Sequence, residues 1–383
     1  MTTFALHAEK FVLPEGVCGP GYLVVEDGRV AAFQHDAPGC EVVEHGDAWV
    51  APGFVDTHIH GFADHDVMDC DPEGINVACR ELARQGTTSI LATTLTASTE
   101  QTREACAAVA QAAALRPEGF LGTRIQGIFL EGPFFTEKHK GAQNPKYLCD
   151  PSLEALDQWQ AAAGGLIRKS ALAPERDGSL DYVRGATRRG VVPAIAHTDA
   201  TYEQARAAVD AGASVFVHTY NAMSGLTHRA PGVVGCAMTS DDAYAELICD
   251  GLHVSPVACK ALIRAKGWER VFLISDCLRC GGMPEGDYLL GELPIRLAGG
   301  VARLRDEGNI AGSVLTMAGA VKNVVDWGIV TAEQAIRMAT EIPARANGID
   351  GSCGSIAPGR AADLVVLRPD LSLECTYLGG IRL

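Results

Sequence analysis

Short apolar runs rich in β-branched residues recur along the middle of the chain: WVAPGFVDTHIH, TTSILATTLT, RIQGIFLEGP, IRKSALAPE, VVPAIAHTD, ASVFVHTYN, AELICDGLHV and VFLISD. Runs this uniformly apolar suit strands covered on both faces, whereas a half-exposed strand alternates. Between them lie stretches dominated by Ala, Gln and Glu with apolar residues three and four apart. Gln101–Leu115 and Tyr202–Ala211 are two of these, and they predict amphipathic helices. Eight buried-type strands alternating with helices predict an α/β fold, a (β/α)8 TIM barrel. An open doubly wound sheet is the competing arrangement, and the strand count and the placement of polar residues weigh against it. No repeat with a period of about 20–50 residues interrupts the pattern.

The chain ends read differently. GYLVVEDGRVAAF holds two β-rich runs joined at Glu26-Asp27-Gly28, and Asp-Gly is a strong hairpin signal. GSIAPGRAADLVVLRPD and ECTYLGGIRL are alike, with a strand over Ala362–Leu367 and a turn at Pro369-Asp370. Neither piece is long enough to bury a core alone. Residues 1–50 and 351–383 are therefore expected to form one small β domain, with the barrel of residues 51–350 inserted between them.

Composition narrows the partners. The 383 residues are 47% hydrophobic and 21% charged, which excludes disorder and fibrous structure. Lys and Arg number 32 against 47 Asp and Glu, a formal charge of −15. That balance excludes nucleic acid and anionic membrane surfaces as general partners, which demand a cationic excess. It leaves room for an anionic small substrate held by a few local cations. The opening MTTFALHAEKFVLPEGV lacks the pattern of a signal peptide, and no apolar window reaches the length of a membrane span. Thirteen scattered cysteines, an odd number, suit a reducing cytoplasm better than a disulfide framework. Cys277 and Cys280 have C-x-x-C spacing but neither a second pair nor a thioredoxin-like setting, so no metal or redox role is expected for them.

The strand runs end in polar residues of unusual chemistry: His58 and His60 on the first, Glu131 on the third, His197 on the fifth, His218 on the sixth and Asp276 on the eighth. From His197 to His218 is 21 residues, about one helix-plus-strand step; the intervals 60 to 131, 131 to 197 and 218 to 276 are 71, 66 and 58, about two steps each. All six side chains are thus expected at the C-terminal mouth of the barrel, where such folds build their sites. Residues i and i+2 on a strand share a face, so His58 and His60 converge. Imidazole and carboxylate together suit Zn²⁺, Fe²⁺, Co²⁺ or Mn²⁺. Four His and two carboxylates exceed the needs of one tetrahedral ion, and two ions bridged by Glu131 would use them all. His7, His35, His45, His65 and His139 are read as structural. A divalent ion acidifies water and polarises a carbonyl, and Asp276 stands where it can take that water's proton and return it to an amide nitrogen. The class indicated is metal-assisted hydrolysis.

PGFVDTHIHG, LEGPFF, AHTDA, VHTYNAM, ICDGLHV, ISD and IAGSVLTM, in this order, resemble the amidohydrolase superfamily and, more narrowly, the N-acetylglucosamine-6-phosphate deacetylase family. The likeness runs nearly the whole chain to the closing GSIAPGRAADLVVL. It implies a TIM barrel of amidohydrolase type with a small β-sandwich built from both termini, usually as a homodimer. It implies deacetylation of N-acetylglucosamine-6-phosphate to glucosamine-6-phosphate and acetate. Carried over, Glu131, His197 and His218 hold the ion common to the family, His58 and His60 a second, and Asp276 is the catalytic acid/base. Some members lack His at those two positions and use one ion, so the intact His58-Ile59-His60 favours a two-metal site, with zinc as first choice. Ala142, Gln143, Asn221, Ala222, Arg229, Asp250, Gly251, Leu252, His253, Ile310, Ala311 and Gly312 match substrate-contacting segments. Arg229 suits a phosphate by its bidentate fork, and in the family it reaches the neighbouring subunit's site. His253 suits phosphate or a sugar hydroxyl, and Asn221 with the Ala222 amide an anion or sugar oxygen. Gln143 stands where a His often sits; it can hydrogen-bond a hydroxyl or carbonyl but carries no charge.

Three other functions compete. One is the same reaction on N-acetylgalactosamine-6-phosphate, which the loops around Met223–Arg229 and GGMPEGDY also resemble. A cyclic-amide hydrolase would bridge its metals with a carboxylated Lys at the end of the fourth strand, and here Lys169 falls early in IRKSALAPE. A non-catalytic scaffold would have lost ligands or Asp276, and all are present.

Overall fold

The computed structural model describes residues 3–383; the first two residues of the expected N-terminal segment lie outside the described residues. Eight strands pair in parallel, each with the next in sequence: Phe54–Ile59, Thr87–Thr93, Arg124–Leu130, Ile167–Leu172, Val192–Ile195, Val215–Phe216, Tyr244–Leu247 and Val271–Leu273. The ring closes just beyond the last strand. There Asp276 N–H donates to the His58 carbonyl at 2.9 Å and His60 N–H to the Cys277 carbonyl at 2.9 Å. This is a (β/α)8 barrel and not an open sheet. Val55, Leu91, Phe129, Ala171, Ala194 and Leu247 on its strands are all fully buried, as strands covered on both faces require.

A helix follows each strand: Pro72–Arg84, Thr99–Ala114, Leu153–Ala162, Ser179–Arg188, Tyr202–Ala211, Gly232–Thr239, Pro256–Lys266 and Met317–Asp326. The two stretches read as helical are helical. Their starts are set by Ser98 and Thr201, whose hydroxyls accept from Gln101 N and Gln204 N. Before the last helix the chain detours through an antiparallel sheet, Gly286–Leu290, Leu293–Ala298 and Val301–Leu304, which the strand Ile310–Gly312 joins on its way back to the barrel mouth.

Strands from both chain ends stack into two further sheets. One holds Thr3–Ala8, Gly21–Glu26, Arg29–Gln34 and Glu41–Glu44; the other runs Ile381–Arg382, Leu373–Leu378, Leu364–Leu367, Trp49–Pro52, Lys10–Leu13 and Gly16–Cys18. Leu6, Phe11, Leu23, Val25, Val50, Leu364 and Val366 fill the space between them. The Asp27-Gly28 turn has both φ angles positive, 46° and 75°, as a two-residue hairpin of the favoured twist requires.

One apolar run divides where a single strand was expected. In WVAPGFVDTHIH, Trp49–Pro52 pairs antiparallel with Leu364–Leu367 in the terminal sheet, and only Phe54–Ile59 enters the barrel. Gly53 is the changeover. Its N–H donates to the Asp363 carbonyl, and a Cβ there would lie 2.1 Å from Thr88 Oγ1. Both halves are covered by other elements and no turn signal stronger than Pro52-Gly53 parts them, so the run reads as one strand. Among the described residues no helix is long and apolar enough to cross a membrane.

Candidate active site

Each candidate ligand leaves the barrel at the end of its strand, and three do so in a strained backbone. His197, His218 and Asp276 have φ of 44°, 29° and 51°, a left-handed region that non-glycine residues rarely adopt. The turn it makes swings each side chain over the barrel axis. His58 and His60 reach the same point from the first strand, and both are buried. Beneath them the Asp56 carboxylate accepts from Ser275 Oγ at 2.5 Å and from His58 N at 3.2 Å, tying the first strand to the last. Burial lifts the Asp56 pKa to about 6 against those hydrogen bonds.

Glu131 is the centre of the cluster. Its Oε1 lies 3.1 Å from His218 Nε2, 3.4 Å from His197 Nε2 and 3.3 Å from His58 Nε2; its Oε2 lies 3.3 Å from His60 Nε2. Asp276 Oδ1 sits 3.4 Å from both His58 Nε2 and His60 Nε2. All six residues singled out at strand ends therefore meet. They fall into two triads sharing Glu131, one with His58 and His60 and one with His197 and His218, each with its ligand atoms within 4.8 Å of one another.

Burial pulls the His58 imidazole down, but the Asp276 and Glu131 carboxylates outweigh it and lift its pKa to about 9; His60 is lifted for the same reason. Glu131 and Asp276 are held below the usual carboxylate range: burial opposes this, and the imidazoles overcome it. His218 is pushed down by burial. The cluster thus holds two ionised carboxylates, Glu131 and Asp276, among imidazoles at one point. His58 Nε2, His60 Nδ1 and His218 Nδ1 are buried without a hydrogen-bond partner among the described residues. Nitrogen and carboxylate donors at this spacing, with an unpaired Nε2 aimed into the cluster, fit a borderline divalent ion.

The cluster floors a cavity of about 170 Å³. Ala142, Gln143, Asn221, Ala222, His253, Ile310 and Ala311 line it, together with Leu95 and Gly141, which the strand-end pattern did not single out. Gly141 has φ 57°, and a Cβ there would stand 3.2 Å from His197 Cε1, so the loop passes tightly over that ring. Gln143 is turned inward: Nε2 donates to Glu131 Oε2 at 2.7 Å and Oε1 accepts from Thr96 N at 2.9 Å. Its amide orients the central carboxylate and faces the cavity as well. Asp250 lies behind the lining. It accepts from Leu252 N and His253 N, each at 2.8 Å, and holds His253 Nδ1 at 2.6 Å. Gly251 and Leu252 are the outer part of that turn, with Leu252 53% exposed. Gly312 stands behind the lining too: a Cβ there would meet Leu278 Cδ2 at 2.7 Å and the Asp276 carbonyl at 3.1 Å. Arg229 is exposed and does not line the cavity of its own chain.

Of the histidines read as structural, His139 contributes its carbonyl, 2.9 Å from His197 Nδ1, while its ring pairs with Asp199. His45 has both ring nitrogens engaged, by Glu374 and by the Tyr377 hydroxyl. The Cys277 and Cys280 thiols are buried, which raises the pKa of both, Cys280 to about 11.

Residues 49–381 match the amidohydrolase family. The chain belongs to the amidohydrolase family, in its N-acetylglucosamine-6-phosphate deacetylase branch. An N-acetylglucosamine-6-phosphate deacetylase of Vibrio furnissii is 39% identical over 93% of this amidohydrolase and 89% of its own length. An N-acetylgalactosamine-6-phosphate deacetylase of Escherichia coli O157:H7 is 38% identical over 99% of this chain and 98% of its own. A Mycobacterium smegmatis N-acetyl-D-glucosamine-6-phosphate deacetylase variant, solved with N-acetyl-D-glucosamine-6-phosphate, superposes with a TM-score of 0.94 at 33% identity, over 100% of this chain and 99% of that one. This amidohydrolase is therefore a hydrolase, and its family implies a divalent metal.

Proposed function

We propose that the chain hydrolyses the amide of N-acetylglucosamine-6-phosphate, releasing glucosamine-6-phosphate and acetate. The observation that carries this is the double triad around Glu131 at the floor of a polar cavity, in a chain 39% identical to a relative of that name. Glu131, His197 and His218 would hold one divalent ion, and His58 and His60 a second sharing Glu131; zinc suits the donor set best, with iron, cobalt or manganese as substitutes. The metal supplies carbonyl polarisation and a more acidic water at neutral pH. Asp276, held ionised, takes a proton from the water as it adds to the amide carbonyl. It returns that proton to the nitrogen as the C–N bond breaks, so water and amide become acetate and amine. Ala142, Gln143, Asn221, Ala222, His253, Ile310 and Ala311 would contact the sugar, with Asp250, Gly251, Leu252 and Gly312 shaping that lining. We take the chain to work in the cytoplasm as a homodimer, each subunit lending Arg229 to its neighbour's phosphate. The exposure of Arg229 away from its own cavity supports this. The division into a barrel of 51–350 and a sandwich of 1–50 with 351–383 belongs to the same proposal, with Trp49–Pro52 as the strand of the sandwich that runs across that boundary.

A second substrate stands close, because a relative acting on N-acetylgalactosamine-6-phosphate is 38% identical over nearly both lengths. Rates on the two 6-phosphates and on unphosphorylated N-acetylglucosamine, with defined metal, decide between them. We expect kcat/KM on N-acetylglucosamine-6-phosphate to exceed the other two by at least about tenfold. Preference for the galacto epimer would move the assignment to the second substrate, and equal turnover without phosphate would remove the phosphate contact.

A further inference from the structure

Two charged residues lie inside the barrel below the cluster, neither of them a ligand candidate. Lys169 in Ile167–Leu172 and Glu246 in Tyr244–Leu247 are both fully buried, and their side chains form an ion pair. Lys169 Nζ also donates to the Thr57 carbonyl at 2.9 Å and stands 3.8 Å over the Phe129 ring. Glu246 Oε2 lies 3.0 Å from His58 Nδ1 and accepts the His218 backbone N–H at 3.2 Å. Stripping water from such a pair costs several kcal/mol per ion in real proteins, so a buried pair is weak evidence of stabilisation. Its position suggests what else it does. Five different strands meet at these two groups, and the one ligand side chain they touch is His58.

We propose that Glu246 and Lys169 are positioning residues that prepare His58 for a metal ion: Glu246 accepts a hydrogen bond from Nδ1–H, leaving Nε2 as the lone-pair nitrogen facing Glu131 and Asp276. This rests on the reading that His58 and His60 hold an ion. The chemistry follows from donor counting. A neutral imidazole has one N–H, and a ligand nitrogen must be the other one. A carboxylate offers only acceptors, so Nδ1 must carry the hydrogen. Lys169 fills the second oxygen of Glu246 with a cation that never accepts, which prevents Glu246 from being replaced by an amide in the working orientation. In Glu246→Gln the amide oxygen turns to Lys169 and its N–H₂ turns to His58, which also ends the hydrogen bond from the His218 backbone N–H. Nδ1 then becomes the acceptor and the ring hydrogen moves to Nε2, where it blocks coordination. Lys169→Met in the same chain releases the amide, whose N–H₂ then donates to the Thr57 carbonyl and whose oxygen accepts from Nδ1 again.

The test is metal titration of chelator-stripped protein with Zn²⁺ and with Co²⁺, followed by metal analysis and Co²⁺ absorption. Apo-protein melting is recorded alongside. Glu246→Gln is expected to weaken the ion at His58 and His60 by about ten- to a hundred-fold, as loss of an outer-shell partner does, with the ion at Glu131, His197 and His218 retained. Lys169→Met/Glu246→Gln is expected to recover most of that affinity, which a merely structural pair would not do. Wild-type affinity in Glu246→Gln, or a double variant as weak as the single, overturns the positioning role. His58→Ala reports separately on the underlying reading. If it binds as many ions as the wild type, no ion sits at His58 and both fall. If it loses an ion while Glu246→Gln does not, only the positioning role falls.

Discussion

His253 shows how one side chain joins the fold to the chemistry. Asp250 caps its own turn, and the same carboxylate fixes the His253 ring at the cavity wall. Burial pulls the imidazole down, but Asp250 and the charge of Asp276 outweigh it, so the pKa lies above the ordinary His value. The sign follows. The positive charge is fully present below the ordinary His range and is lost as pH rises through the raised value. KM for a phosphorylated substrate should therefore climb on the alkaline side, and His253→Gln should flatten that limb in a KM–pH profile. Identical profiles in both proteins would take His253 out of capture. At this scale the convergence of the six strand-end side chains was legible, because His, Glu and Asp at the ends of apolar runs stand out against their surroundings. Glu246 and Lys169 sit in equally apolar runs, yet nothing local in the sequence says that a charge mid-strand faces its opposite across the barrel. Gln143 was legible as a cavity residue, but its grip on Glu131 depends on a loop path that no spacing encodes.

Strands and helices of the barrel were visible as alternating patterns, and their order follows directly from parallel neighbours joined by helices. What escaped is where one apolar run changes sheets. Trp49–Pro52 and Phe54–Ile59 follow each other almost directly yet pair with different sheets, and the break rests on one residue without a side chain. Gly53→Ala would drive a methyl against Thr88 Oγ1, and overpacking of that kind costs about 1–3 kcal/mol. We expect a lower midpoint in denaturant with an unchanged slope, and part of the loss restored by adding Thr88→Ala. A Gly53→Ala protein as stable as the parent would mean that the junction yields easily. The sheet of Gly286–Leu290, Leu293–Ala298 and Val301–Leu304 was not foreseen either. Its strands are short and partly exposed, and the pattern there is too weak to separate from a loop.

The whole molecule carries a formal charge of −15, and the substrate we assign is also an anion. Capture must therefore come from local cations working against the general field. Arg229 is the one expected from the neighbouring subunit, and complementation tests it. Homodimers of Arg229→Ala and of Asp276→Asn should each be nearly inactive at low substrate. Co-expressed, they should regain up to about a quarter of the wild-type activity, because half of the random dimers contain one intact site out of two. No regain would place Arg229 within its own subunit's chemistry or outside the chemistry altogether. The barrel's seam has one further consequence. The hydrogen bonds that join the first strand to the last run through His58, His60, Asp276 and Cys277. During synthesis His58 emerges early and Asp276 only after more than two hundred further residues, so the ends of the ring meet late. The proposed catalytic centre and the last stitch of the ring are the same few residues. A chain that has not finished folding can have no activity, and the onset of turnover marks the moment the barrel shuts.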